Sequence, residues 1–106
     1  MAEKLCKLRK YGGGSQTLTL VEKGTATNKT FNNLKIGKTY LLNVVFYSDS
    51  DYITPLSNYE FQNNTSGTFG GRTVLSRTTQ FKATSTSITQ ATTGGTTFSY
   101  LMAVFE

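Results

Sequence analysis

A chain of 106 residues has room for one domain, and its 37% hydrophobic content supplies a modest core with no apolar run near the ~20 residues of a membrane-spanning helix. It contains no histidine, which removes the commonest general base, the usual Ser- and Cys-based triads and most transition-metal sites. The formal charge of +5 is uneven: residues 1–10 hold Lys4, Lys7, Arg9 and Lys10 against Glu3, and the remaining chain holds seven cations against five anions.

The opening stretch, MAEKLCKLRKYGGGS, predicts a basic arm over residues 1–14 ended by a glycine hinge at Gly12, Gly13 and Gly14. The three-residue spacing of Leu5 and Leu8 permits one helical turn, too short to be stable alone. Such an arm suits phosphates or an acidic protein surface, or simply aids solubility. Cys6 is the only cysteine, so no intramolecular disulfide forms. It also has no histidine partner, and a small apolar residue on a docking segment explains it better than a nucleophile does. Residues 1–14 lack the apolar middle of a secretory signal, which implies synthesis in the cytoplasm.

From Gln16 the period changes to two, and residues 15–106 are expected to form one β-domain. Nineteen Thr with the Tyr and Phe residues suit pleated, half-buried surfaces. Leu18 and Leu20 alternate with Thr17, Thr19 and Val21; Lys23-Gly24 reads as a turn, and 25–31 as a polar edge-like strand. Ile36-Gly37-Lys38 predicts a turn into the strongest strand, 39–47. Shorter candidates follow at 52–54, 58–62 and 72–76. After them come 79–83 and 85–91, read as one interrupted strand. Thr92-Thr93-Gly94-Gly95 reads as a hairpin turn into a closing strand at 97–105. No helical stripe persists for three turns. The expected fold is therefore all-β, an antiparallel β-sandwich or jelly-roll-like domain with a short N-terminal arm.

Two strands are apolar on both faces. In 39–47, Tyr40, Leu42, Val44 and Phe46 oppose Leu41, Val45 and Tyr47, with Asn43 the only break. In the closing strand, Phe98, Tyr100, Met102 and Val104 oppose Leu101, Ala103 and Phe105. A two-layer fold wets one face of each sheet, so the second faces call for a cover. A loop, the N-terminal arm or another subunit could supply it; a partner subunit is the expected cover, through Leu41, Val45, Tyr47, Leu101 and Phe105, against a loop-covered face or closed barrel in a monomer. Lys4, Lys7, Arg9 and Lys10 would dock to an acidic neighbour.

Other chemistry is sparse. Asp49 and Asp51 carry the right oxygen ligands for Ca²⁺, but a polar turn explains SDSDY better. No second carboxylate, Glu60 included, is singled out as a glycosidase partner. Gly70–Arg72 and Gly94–Gly95 precede no helix and are not phosphate loops. Aromatics beside cations (Phe69 and Arg72; Arg77, Phe81 and Lys82) suit a stacking groove, but the body's small net charge argues against nucleic acid. Tyr52, Tyr59 and a loop from Asn63 to Ser66 have the adaptable chemistry of a recognition surface, carbohydrate included, although hydrophilic loop tips explain them better. No metal, cofactor or membrane contact is called for.

The stretches LKIGKTYLLNVVFYSDSD, GRTVLSRTTQFKATSTSITQ and TTGGTTFSYLMAVFE, about half the chain, resemble the small Thr/Asn/Gly-rich β-modules of tailed-bacteriophage virion proteins in tail fibres, baseplates and capsid accessory or decoration subunits. That resemblance implies a non-enzymatic structural protein, a homo-oligomer assembled with other virion proteins in the host cytoplasm. It also implies the alternative of a receptor- or carbohydrate-binding module of a tail adhesin. The family carries no signature site, and the chain is short for a full tail fibre.

Overall fold

The computed structural model describes residues 3–9 and 15–16 as strand backbone, and 17–48 and 52–106 in full. Eight strands run in chain order: β1 (Glu3–Arg9), β2 (Ser15–Ala26), β3 (Asn28–Phe31), β4 (Thr39–Tyr47), β5 (Tyr59–Phe69), β6 (Arg72–Lys82), β7 (Ile88–Ala91) and β8 (Phe98–Phe105). No helix occurs among the described residues. One sheet has the order β1-β2-β8-β4-β6-β5, and β3 pairs with β7 in a second; all pairings are antiparallel.

The doubly apolar strands sit where such strands belong. β4 and β8 are neighbours in the interior of the large sheet, with β2 beyond β8 and β6 beyond β4. Register assigns their faces, because directly paired residues point the same way. Tyr40, Leu42, Val44 and Phe46 share the inner face with Phe98, Met102 and Val104, all buried. They form the main core with Phe31 of β3, Phe81 of β6, and Leu34, Ile53 and Ala83 from the connecting segments. Tyr40 and Phe81, cross-strand partners, stack with ring centroids 5.7 Å apart. The Tyr40 hydroxyl accepts from the Lys35 N–H at 2.8 Å and so pins the preceding turn. That turn, predicted at 36–38, is closed by Lys38 N–H donating to Lys35 O at 3.0 Å.

Several local expectations are corrected. Lys23-Gly24 is no turn but the interior of β2, where Gly24 pairs with Tyr100. The aromatic ring lies against the glycine, so a Cβ there would meet the Tyr100 hydroxyl at 2.8 Å. The glycine is present for close approach and not for bending. The 25–31 strand is two pieces: the chain leaves the large sheet after Ala26 and enters the small one at Asn28. The 58–62 strand extends to Phe69, so Asn63–Ser66 is strand and not loop. Residues 72–82 form a single strand, and 85–91 does not continue it: β7 lies in the other sheet, paired to β3. It follows that 92–95 is a crossing between sheets and not a hairpin turn, and 52–54 reduces to one bridge, Ile53 with Thr92.

The true hairpin is β5–β6. Gly70 (φ 60°) and Gly71 (φ 78°) are both left-handed, as a two-residue type I′ loop requires, and Phe69 faces Arg72 across it. The N-terminal segment is also strand: β1 pairs along β2 with an irregularity between Lys4 and Cys6. The expected hinge at Gly12, Gly13 and Gly14 lies outside the described residues.

Candidate functional site

Two surfaces gather chemistry, one on each face of the large sheet. The outer face carries Leu41, Asn43, Val45 and Tyr47 of β4 beside Ser99, Leu101, Ala103 and Phe105 of β8. The structure uses part of it internally. Leu18, Ala103 and Phe105 are buried in a second small core, with Leu41 and Leu101 packed against it and themselves only half-buried. Phe105, expected at a subunit contact, is 4% exposed because it packs beside its cross-strand partner Leu18. It offers a partner almost nothing. Leu41, Val45, Tyr47 and Leu101 remain half-buried, so the open apolar area is smaller than the sequence suggested. Asn43, the polar break in this stripe, is bonded to β6: its Nδ2 donates to Ser76 Oγ at 3.1 Å and Thr78 Oγ1 at 3.0 Å.

Toward the β5–β6 hairpin the same face deepens into a groove of about 570 Å³. Val45, Tyr47 and Val74 line it with the hydroxyl residues Thr65, Ser76 and Ser99, and Phe69, 70% exposed, stands at its edge. None of its lining residues carries a charge. The Arg72 guanidinium covers one face of Tyr47, its carbon 3.9 Å from the ring centroid.

On the inner face a different anomaly appears. Arg77 pairs with Val44 on one side and Asn64 on the other, in phase with core positions, and is 6% exposed. Its Nη2 donates to Thr54 O at 3.0 Å and to Gln90 Oε1. Gln90, fully buried, donates in turn to Thr54 O at 3.0 Å and Thr89 O at 3.1 Å. Arg77 Nε has no acceptor, and no carboxylate pairs with this guanidinium among the described residues. Burial holds its pKa below the ordinary arginine value. A pocket of about 460 Å³ opens beside it, lined also by Ser48, Tyr52, Gln62 and Asn64.

The remaining predicted residues are scattered. Lys4, Lys7 and Arg9 lie on β1 at one edge of the large sheet, their side chains outside the described residues, as are Lys10, Asp49 and Asp51 entirely. Tyr52 is 73% exposed at the Arg77 pocket. Tyr59 pairs with Phe81 on the inner face, whereas Asn63 pairs with Thr78 on the outer, so the three ligand-loop candidates do not converge. Glu60 accepts a hydrogen bond from Gln80 Nε2 at 2.9 Å. Arg77 and Phe81 are both buried, which removes them from any stacking groove for bases.

No family model, curated protein or solved structure matches this chain. Function therefore rests on the two surfaces. Among the described residues no three His, Cys, Asp or Glu side chains cluster to hold a metal ion. Sequence reading weighed Arg77 as a groove cation and missed its burial, although its phase with Leu75, Thr79 and Phe81 on one strand was a usable signal.

Proposed function

We propose that the chain is a non-enzymatic structural or accessory subunit of a tailed-phage virion, in the manner of a capsid-decoration or tail protein. In this reading the two sheets form an unequal β-sandwich. The outer face of the large one meets a second copy of the chain, while basic β1 faces an acidic virion neighbour. The observation that carries it is the uncharged groove at Val45, Tyr47 and Phe69, continuous with the half-buried Leu41 and Leu101. Half-buried and exposed apolar side chains around a concavity, with the Arg72 guanidinium on Tyr47 as the one charge beside them, suit a protein contact. The complete lack of histidine is in keeping with a role that needs no acid–base chemistry.

Native mass measurement tests this directly. The protein at micromolar concentration should be an oligomer, and Val45→Asp or Phe69→Asp should dissociate it while leaving the fold intact. A wild-type monomer at that concentration refutes the reading. A receptor- or carbohydrate-binding role is the second reading, favoured by the pocket at Arg77 and Tyr52.

A further inference from the structure

Among the described residues the Arg77 guanidinium carries a buried side-chain nitrogen with no hydrogen-bond partner. Placing a charge away from water is unfavourable unless an opposite charge or a full set of hydrogen bonds compensates. Among the described residues Arg77 has two acceptors, a backbone carbonyl and a neutral amide, and both engage the same nitrogen. Its Nε is buried without a partner. A clamp between the large sheet and the 52–54 segment would need only a neutral donor at this position. An arginine is the stronger choice where an anion is to be received, since its planar fork matches a carboxylate.

The walls narrow the anion's identity. The pocket beside Arg77 is lined by side-chain amides (Gln62, Asn64), a hydroxyl (Ser48) and the exposed aromatic Tyr52, with Phe46 and Leu75 as apolar floor. Amides and hydroxyls bond sugar hydroxyls in either direction, and an aromatic ring packs on the apolar face of a pyranose. A single cation suits one negative charge, and a pocket of about 460 Å³ lies in the range of small-ligand sites.

We propose that this pocket binds a sugar acid, a uronic or sialic acid residue, whose carboxylate pairs with Arg77 and whose ring lies against Tyr52. The inference deepens the carbohydrate-binding reading and is independent of the oligomer.

The test uses the full chain with galacturonic acid and N-acetylneuraminic acid as probes, and galactose, methyl galacturonate and a short peptide with a free C-terminus as controls. Thermal unfolding and calorimetric titration are the readouts. At least one sugar acid should raise the unfolding midpoint at millimolar concentration, and its neutral counterpart should bind about tenfold or more weakly. Asn64→Asp is the decisive variant, because Asn64 is the direct cross-strand neighbour of Arg77. A carboxylate fixed there occupies the guanidinium from within, so the variant should unfold at a higher temperature and lose sugar-acid binding. Tyr52→Ala, at an exposed position, should fold normally and weaken binding. The proposal is overturned if neither sugar acid binds, if galactose binds as well as galacturonate, or if the peptide acid binds better than both. It is equally overturned if Asn64→Asp folds and binds the sugar acid unchanged. Should Asn64→Asp not fold, undiminished binding by Tyr52→Ala overturns it.

Discussion

Replacing Gly24 with alanine probes a close approach between neighbouring strands of the large sheet. An ideal Cβ at this position would lie 2.8 Å from the Tyr100 hydroxyl oxygen and 3.1 Å from Cζ, against the roughly 3.5–4.0 Å of an ordinary carbon contact. The Tyr100 ring cannot simply swing aside. It meets Phe31 edge-on with centroids 5.2 Å apart, it lies 6.2 Å from Phe98, and Lys29 Nζ sits 5.6 Å from its centroid. Overpacking of this kind costs about 1–3 kcal/mol. Removing a glycine from a strand returns about 0.5–1 kcal/mol. The net expectation for Gly24→Ala is a loss of about 1–2 kcal/mol, a midpoint lower by about 5–10 °C. Urea unfolding of wild type, Gly24→Ala, Tyr100→Phe and the double variant closes the cycle. Deleting the hydroxyl removes the shorter clash, so the double variant should be more stable than the sum of single effects by about 1 kcal/mol. Additive effects, or a Gly24→Ala protein at least as stable as wild type, would refute the reasoning.

Two further outcomes follow from buried and paired polar groups. Gln90→Ala removes one acceptor from Arg77 and a donor to Thr54 O, leaving the guanidinium further stranded; a loss of about 3 kcal/mol in urea unfolding is expected. Lys29 is held above its ordinary pKa of 10.5 chiefly by its hydrogen bond to Glu22. Because the folded value is the higher one, the pair's contribution is complete at neutral pH and is lost as pH rises past 10.5 through the folded value. Wild type should therefore lose stability over that window and Lys29→Gln should not, as measured by denaturation at a series of pH values.

Strand content and the central pair were legible because they depend on side chains. Runs such as TYLLNVVFY, apolar at both parities, fit only a strand with neighbours on either side, and β4 has them in β6 and β8. What escaped was whatever depends on partners far away. The Asn63–Ser66 portion of β5 has almost no apolar alternation and is exposed along its length; the ladder it makes with β6 across Gly70 and Gly71 holds it as strand. Thr92-Thr93-Gly94-Gly95 has hairpin chemistry, yet β7 is drawn to β3 instead of β8, with Ile88 packed against the main core. On the outer face, the mutual burial of Leu18 and Phe105 could not be read without the register that brings them together. Arg77 looked like one more surface cation until Asn64 and Val44 appeared on either side of it.

The place of β8 has a consequence for how the chain acquires its shape. It is inserted between β2 and β4, and Leu18 pairs with Phe105 from nearly the opposite end of the sequence. During synthesis, β2 and β4 emerge long before the segment that joins them, each with an unsatisfied row of amides and carbonyls. The sheet cannot be completed piecemeal; it closes late, over milliseconds to seconds, as non-local β-topologies do. A nascent chain interrupted before residue 98 would carry two open edges, that of β4 rich in leucine and valine, the kind of surface that seeds aggregation.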